Sequence, residues 1–484
     1  MTVEDERLVG ARAVYAGGRW STAVTSTRIE VRNPYDRSLV GEVGDGSAVD
    51  VDVAVRAARE AFDHGPWPRM AASERAEWMR RLADELERRG PATARLVTNE
   101  NGQPTSMSRV TNGAVPAAHM RYYADLADQF VPEEERSHVT RAGSSVVRSE
   151  PVGVCGLIVP WNFPQSLLTA KLAPAMAVGC TVVVKPAAET PLDAFVLAEA
   201  ADAIGLPAGV INIVTGGRGT GAALVDHRGV DKIAFTGSTA AGRVIAARCG
   251  ERLIPVTLEL GGKSPAVVLD DANAEQTLQQ LKSLSFMNSG QTCFLLSRVL
   301  VPRTRLDEFT DGLAAVAAGL VLGDPRDETT EQGPLVSERI RSRVRGYVDA
   351  GIADGARAVT GGRDLPGADG YFFEPTVFVD VDHASALAQE EVFGPVVIVA
   401  PYEDEDEAVA LANDTTYGLG GAVFAAQDDR AMALARRIET GTVGINGYRP
   451  DLSVPFGGYK SSGLGRENGP EALGNFLKTK SIYC

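Results

Sequence analysis

The chain is poor in histidine and cysteine, and what cysteine it has is scattered. Only five histidines occur in 484 residues, and none lies near the cysteine that proves most informative. The five cysteines (Cys155, Cys180, Cys249, Cys293, Cys484) are odd in number and show no CxxC spacing. That excludes a disulfide framework and a zinc ribbon as organising features, and no metal site is expected. No apolar run approaches the length of a membrane span. Met1-Thr2-Val3-Glu4-Asp5-Glu6-Arg7 is too polar and acidic for a signal peptide. Basic residues are in deficit, 48 Lys and Arg against 63 Asp and Glu, and a net charge of −15 argues against a nucleic-acid surface. What remains is a cytoplasmic globular protein too long for a single core, with two or three domains expected.

The stretch Ser289-Gly290-Gln291-Thr292-Cys293 presents a cysteine on a glycine-led turn, ahead of the strand-like run Phe294–Val301. A thiolate is a strong nucleophile, but a free thiol has a pKa of about 8.5 and needs help. The nearest histidines in sequence are His227 and His383. Upstream, Thr257-Leu258-Glu259-Leu260-Gly261-Gly262-Lys263 places a carboxylate at the end of an apolar run, where burial makes it a candidate general base. Cysteine plus glutamate points to attack on a carbonyl followed by activation of water. Alone, each half has an ordinary reading too: an inert core cysteine, and a turn glutamate beside two glycines.

The first forty residues read as short strands and turns. Ser47 and Asp50 form an N-cap pair before a helix carrying Ala54, Ala58 and Ala61, and a second helix begins at Ser73 with Gly90 as its stop. Pro132–Arg136 reads as a charged loop, and Val139–Arg148 as a hairpin, either an assembly arm or a plain surface hairpin. From Pro151 to Asp270, apolar strands (154–159, 181–184, 210–214, 232–235, 255–258, 266–269) alternate with helical stretches such as Pro191–Ala203. This is the pattern of a doubly wound α/β sheet that binds nucleotides at its carboxyl edge. The cluster Gly216–Gly221 lacks full GxGxxG spacing and is weak by itself. Phe235-Thr236-Gly237-Ser238 stands where a strand meets a helix and has the small residues a phosphate needs there.

Taken together, seven motifs resemble the aldehyde dehydrogenase superfamily over nearly the whole chain. They are Pro160-Trp161-Asn162-Phe163-Pro164, Lys185-Pro186, Phe235–Ser238, Glu259–Lys263, Gly290–Cys293, Glu391-Val392-Phe393-Gly394-Pro395 and Pro455-Phe456-Gly457-Gly458. They stand in family order, with the family's Glu-to-Cys spacing. The resemblance implies an α/β fold of two Rossmann-like domains, one cofactor-binding (1–130 and 149–260) and one catalytic (261–462). It also implies a β arm for oligomerisation (131–148 and 463–484), whose hairpin and C-terminal Phe476–Tyr483 would assemble a homodimer or homotetramer.

The resemblance also implies roles. Cys293 attacks an aldehyde, the Asn162 amide and the Cys293 N–H hold the oxyanion, a hydride leaves to the nicotinamide, and Glu259 activates water on the resulting thioester. Lys171 and Glu467 match positions associated with proton movement. Lys185 is expected on the adenosine ribose, Ser238 on the pyrophosphate, and Glu391 on the nicotinamide ribose beside Phe393. Ile158, Pro160, Trp161, Ala188, Gly217, Gly221, Phe235, Gly237 and Leu260 complete the cofactor set. Many members carry a glutamate where this chain has Ala188, with Glu189 one position later; NAD is favoured because no clustered Arg or Lys is visible, and NADP stays open.

Glu259 argues against the CoA-acylating branch. Phe163, Leu167, Ala170, Thr292, Phe294 and Phe456 are expected to line the tunnel. Ala170 replaces a bulky aromatic, and no arginine is evident for a substrate carboxylate, so a long-chain, terpenoid or aromatic aldehyde is expected. The alternatives are a semialdehyde dehydrogenase, a cysteine-dependent esterase without nucleotide, and a silent copy of the fold.

Overall fold

A computed structural model describes residues 8, 9 and 12–484, so the polar stretch Met1–Arg7 lies outside the described residues. The fold is α/β and is organised on two large sheets. The first has eight strands in the order 463–464, 256–259, 232–236, 154–158, 181–185, 211–214, 12–16, 19–22. Its five central members run parallel, and antiparallel strands close both edges. The second has seven strands in the order 357–360, 376–379, 396–402, 296–302, 264–268, 422–424, 444–445. All its pairs are parallel except the first.

The central strands are buried on both faces, Val154–Ile158 and Thr181–Lys185 throughout. That is why they read as unbroken apolar runs rather than as alternating ones. The expected strands between 154 and 269 are all present, with ends shifted by one or two residues. The helix predicted from Pro191 begins at Asp193 and ends at Ile204. At the first edge, Gly17 and Gly18 both take positive φ and turn Arg12–Ala16 back on Arg19–Thr22, a hairpin geometry only such residues adopt easily. Ser47 and Asp50 form the predicted cap, the Ser47 N–H donating to the Asp50 carboxylate at 2.7 Å.

Three local expectations are corrected. Gly90 does not stop its helix, which runs from Ala72 to Asn101 straight through Pro91. Pro91 sits on the exposed side, so the carbonyl it leaves without a donor faces water. Gly90 serves packing instead: a Cβ there would lie 2.6 Å from the Gly113 carbonyl oxygen of a neighbouring helical segment. The charged loop Pro132–Arg136 is largely a strand, Glu133–Ser137, because it pairs antiparallel with Ser144–Pro151. The hairpin therefore spans 133–151, with its turn inside the segment that reads as its first strand. The C-terminal strand Leu477–Tyr483 pairs with Ser144–Pro151 on the other side, making a three-stranded arm. Gly463–Leu464 pairs with Val256–Glu259 in the first sheet.

The two sheets meet edge to edge in a polar sense. Ile158, Lys185, Thr236 and Glu259 each end a strand of the first sheet at its carboxyl edge, Lys185 opposite Ile158, Thr236 opposite Glu259, and Ile158 opposite Phe235. Cys293 and Glu391 come just before the strands Leu296–Pro302 and Val396–Tyr402, at the amino edge of the second. Arg298, fully buried in what reads as an apolar run, ties that edge together by donating to the carbonyls of Lys263, Leu411 and Ala412 at 2.8–2.9 Å.

Packing and propensity make opposite predictions at two glycines. Gly90→Ala should lower the thermal midpoint, because overpacking costs about 1–3 kcal/mol and exceeds the roughly 1 kcal/mol of helix propensity gained. Gly250→Ala, in helix Thr239–Arg252 with open space around the site, should raise it. Paired thermal melts check both signs.

Candidate active site

The cysteine rests on a turn of unusual backbone. Asn288, Ser289 and Gly290 take φ of 51°, 56° and 76° in succession, a left-handed run that only surrounding structure can impose. Four contacts impose it. The Ser289 hydroxyl donates to the Gly333 carbonyl at 2.7 Å, and the Gln291 amide donates to the Asn288 carbonyl at 3.0 Å. Gln291 Oε1 accepts from the Val336 N–H at 2.9 Å. A Cβ on Gly290 would fall 1.9 Å from the Gly394 carbonyl oxygen, so the cysteine motif and the Glu391–Pro395 motif touch backbone to backbone. Gly262 is pinned in the same way, its Cβ position 2.4 Å from the Cys293 carbonyl oxygen. The glycines of these motifs are there for close approach.

Asn162 is buried beside this turn. Its side-chain Nδ2 donates to the Gln291 carbonyl at 3.0 Å, and its own carbonyl accepts from Asn288 Nδ2 at 3.1 Å. An amide nitrogen has two donors, and Gln291 uses one.

Glu259 is buried, and neither of its carboxylate oxygens has a hydrogen-bond partner among the described residues. Gly457 explains how it fits: a Cβ there would lie 2.6 Å from Glu259 Oε1. Burial first, and then the charge of Glu467, push the Glu259 carboxyl well above its usual value, with Lys171 and Arg466 acting the other way. Burial also pushes the Cys293 thiol up, and the charges of Glu391 and Glu259 add to this. Behind Glu259, Lys171 Nζ pairs with Glu467 Oε1 at 2.6 Å, both side chains being almost fully buried. The same ammonium also donates to Thr236 Oγ1. The structure thus brings Cys293, Asn162, Glu259, Lys171 and Glu467 to one place.

A cleft of about 480 Å³ leads away from Cys293 between the two sheets. Ile158, Pro160, Trp161, Lys185, Ala188, Gly217, Phe235, Gly237, Ser238, Leu260, Glu391 and Phe393 all line it. Gly221 lies in the adjoining chamber of about 510 Å³, walled by Val225, Val244 and Ile245. Lys185 is buried enough to hold its pKa down at about 8. Glu391 accepts from the Gly262 N–H at 3.1 Å, and burial lifts its carboxyl to about 7. Phe393 packs edge-on to Trp161, ring centroids 5.4 Å apart.

The glycine cluster 216–221 follows strand Ile211–Val214 and opens helix Arg218–Asp226, but the Gly217 N–H is taken by Asp45 at 2.9 Å. Ser238 caps the other helix of the cleft, accepting from the Ala241 N–H at 3.3 Å. One expectation fails here. Basic residues do gather in space: Arg218, Arg339 and Arg343 line the cleft, Arg339 pairing with Glu189 at 2.8 Å. They come from two helices far apart in sequence and carry no motif.

On the tunnel side, Phe294 and Phe456 meet edge-on at 6.1 Å, and Tyr448, which sequence reasoning missed, lies against Phe294 at 5.1 Å. The Tyr448 hydroxyl is paired with Thr442 at 2.6 Å, so the ring presents an apolar face. Phe163 is the N-cap of helix Pro164–Val178, Leu167 lies one turn before Lys171, and Ala170 directly precedes it. Thr292 is buried and turns its hydroxyl back to the Met287 carbonyl at 3.3 Å, into its own loop.

Comparison with known proteins agrees with this geometry. The aldehyde dehydrogenase family model matches residues 20–482. The chain belongs to the aldehyde dehydrogenase family. Among its relatives, a geranial dehydrogenase of Castellaniella defragrans is 49% identical over 470 residues, covering 97% of this chain and 98% of that protein. A Mycobacterium tuberculosis aldehyde dehydrogenase solved in complex with NAD+ superposes with a TM-score of 0.96 at 43% identity, covering 99% of both chains. An aldehyde dehydrogenase C mutant from Pseudomonas syringae, solved with NAD+ and octanal, gives 0.93 at 39% identity, covering 98% and 96%. This aldehyde dehydrogenase is accordingly an oxidoreductase.

Two consequences of the geometry can be measured. Gly262→Ala should displace the Cys293 loop and lower kcat/KM by about 10²-fold, the usual cost of a misplaced reacting group, with an unchanged circular dichroism spectrum. With Cys293 as nucleophile and Glu259 as base, both would work deprotonated, and both are held above their ordinary values. Activity should therefore fall as pH drops and rise toward mildly alkaline pH, and Glu259→Gln should remove one of the two ionisations from the pH–rate profile.

Proposed function

We propose that this enzyme oxidises an apolar aldehyde, of the terpenoid or long-chain kind, to its carboxylic acid with NAD. The observation that carries the proposal is the site itself: a half-buried cysteine between an amide donor and an unpartnered buried carboxylate, at the end of a dinucleotide-sized cleft. The cleft residues fit the cofactor. Apolar walls close the chamber beyond Lys185, the Ser238 helix start offers an N-terminus to phosphate, and Glu391 lines the cleft with a carboxylate that would accept from a ribose. Bound NAD supplies the hydride acceptor.

The protein's own residues do the rest. The Cys293 sulfur adds to the aldehyde carbon, and the carbonyl oxygen, as it takes up negative charge, is held by the Asn162 amide and the Cys293 N–H. Once the carbon stands at the acid level as a thioester, Glu259 takes a proton from water, whose oxygen adds to the acyl carbon. The C–S bond then breaks and the acid leaves. Lys171 and Glu467 hold the charge and the proton behind Glu259.

Phe294, Tyr448 and Phe456 support the apolar substrate class, as does the small Ala170, and geranial and octanal are named with the two relatives above. The exposed three-stranded arm, with Tyr483 80% accessible, supports assembly into a homo-oligomer. The cofactor and catalytic domains we propose divide at 260/261, between the two sheets.

A spectrophotometric panel tests the proposal. Cofactor reduction at equal aldehyde concentration should favour geranial and octanal over succinic semialdehyde by at least about tenfold in kcat/KM, a difference of apolar burial alone. Cys293→Ala should abolish reduction. Faster turnover of succinic semialdehyde than of every apolar aldehyde would overturn the substrate class.

A further inference from the structure

Behind Glu259, a second polar bridge runs alongside the Lys171–Glu467 pair. His119, on helix Val115–Asp128, is 2% exposed. Its Nδ1 meets Thr169 Oγ1 at 3.0 Å, and its Nε2 meets Asn468 Oδ1 at 3.1 Å. Thr169 precedes Lys171 by two residues on helix Pro164–Val178, and Asn468 directly follows Glu467. The two bridges are thus adjacent rungs between the same helix and the same turn.

That turn needs holding. Asn468 and Gly469 take φ of 58° and 61°, and an asparagine in the left-handed region stays there only when its surroundings require it. Helix Val115–Asp128 supplies two clamps, His119 on Asn468 and the Tyr123 hydroxyl on the Gly469 carbonyl at 2.9 Å. On the other flank, Glu467 and Phe456 exchange both backbone hydrogen bonds, at 2.6 and 2.7 Å. Burial, and then the charge of Lys171, hold the imidazole down at about 4. The ring is therefore neutral in the working range and bridges Thr169 and Asn468 without adding charge beside the ion pair.

We propose that His119 is a positioning residue for the hydrolytic half of the reaction, holding Glu467 in register with Lys171 behind Glu259. The inference rests on the thioester reading above. Its physical content has a sign. Glu259 faces Glu467, Lys171, Arg466 and the Cys293 sulfur; among these, Glu467 raises its basicity while Lys171 and Arg466 lower it. If the turn relaxes and Glu467 moves away, the cations dominate and Glu259 becomes a weaker base. Adding the water oxygen to the acyl carbon then slows, while formation of the acyl-enzyme by Cys293 does not.

The test separates the two halves without any cofactor. Cys293 of the full-length enzyme is acetylated with p-nitrophenyl acetate, and loss of the acetyl group is followed by intact-protein mass spectrometry across a pH series. In His119→Ala the acetyl-enzyme should accumulate and decay about tenfold more slowly than wild type, a modest share of what a general base contributes. The pH midpoint of decay should move to lower pH, and added hydroxylamine, which needs no base, should restore release. His119→Gln, whose amide can span Thr169 and Asn468, should decay close to the wild-type rate. Decay of His119→Ala at the wild-type rate, failure of the acetyl-enzyme to accumulate, or no rescue by hydroxylamine would overturn the proposal. Aldehyde-dependent NAD reduction by wild type is measured on the same preparation. Its absence would overturn the dehydrogenase reading, while the acetyl decay rates would still report on His119.

Discussion

Everything at this site depends on backbones that approach closer than any side chain would allow. The cysteine turn can face the first sheet only because Gly262 and Gly290 leave room for the Cys293 and Gly394 carbonyls. Those contacts bring the amino edge of the second sheet against the carboxyl edge of the first. Strand order then puts Ile158, Lys185, Thr236 and Glu259 in one row, opposite Cys293 and Glu391. The left-handed run 288–290 is strain held in place by Ser289, Gln291 and Val336.

Within that frame the chemistry is governed by desolvation. Glu259, Glu391 and Cys293 are all driven toward their neutral forms, each with burial as the largest cause. A site that resists ionisation at rest keeps the proposed base and nucleophile unsolvated until an electrophile arrives. The Lys171–Glu467 pair sets the remaining charge. It is held by two layers of structure, its own 2.6 Å contact and the neutral Thr169–His119–Asn468 bridge beside it. Surface ion pairs such as Arg339–Glu189 contribute little to stability. The interest of that one is its place in the cleft rather than its strength.

The reading from sequence went furthest where a local rule and the tertiary demand coincide. The central strands were legible because burial on both faces leaves only apolar residues, and the Ser47–Asp50 cap because it is a contact across three residues. It failed where one residue serves a distant partner. Gly90 looks like a helix stop and is a packing notch for Gly113. Glu133–Ser137 looks like a solvated loop and is an edge strand, since every one of its side chains is exposed and no apolar periodicity marks it. Arg218, Arg339, Arg343 and Tyr448 carry no motif, and no spacing would have assembled them.

By itself the sequence determined the family and the fold class. The proposed nucleophile, base and amide donor each sit in a short motif whose residue types the proposed chemistry requires. Only the tertiary structure decided what surrounds them: the rung of His119 behind Glu259, the aromatic face of Tyr448, the arginines along the cleft, and the two Glu259 oxygens that have no hydrogen-bond partner among the described residues. The physical reason is range. Propensity and motif act over a few residues, whereas the charge and packing felt by a buried group come from whichever strands and helices fold against it.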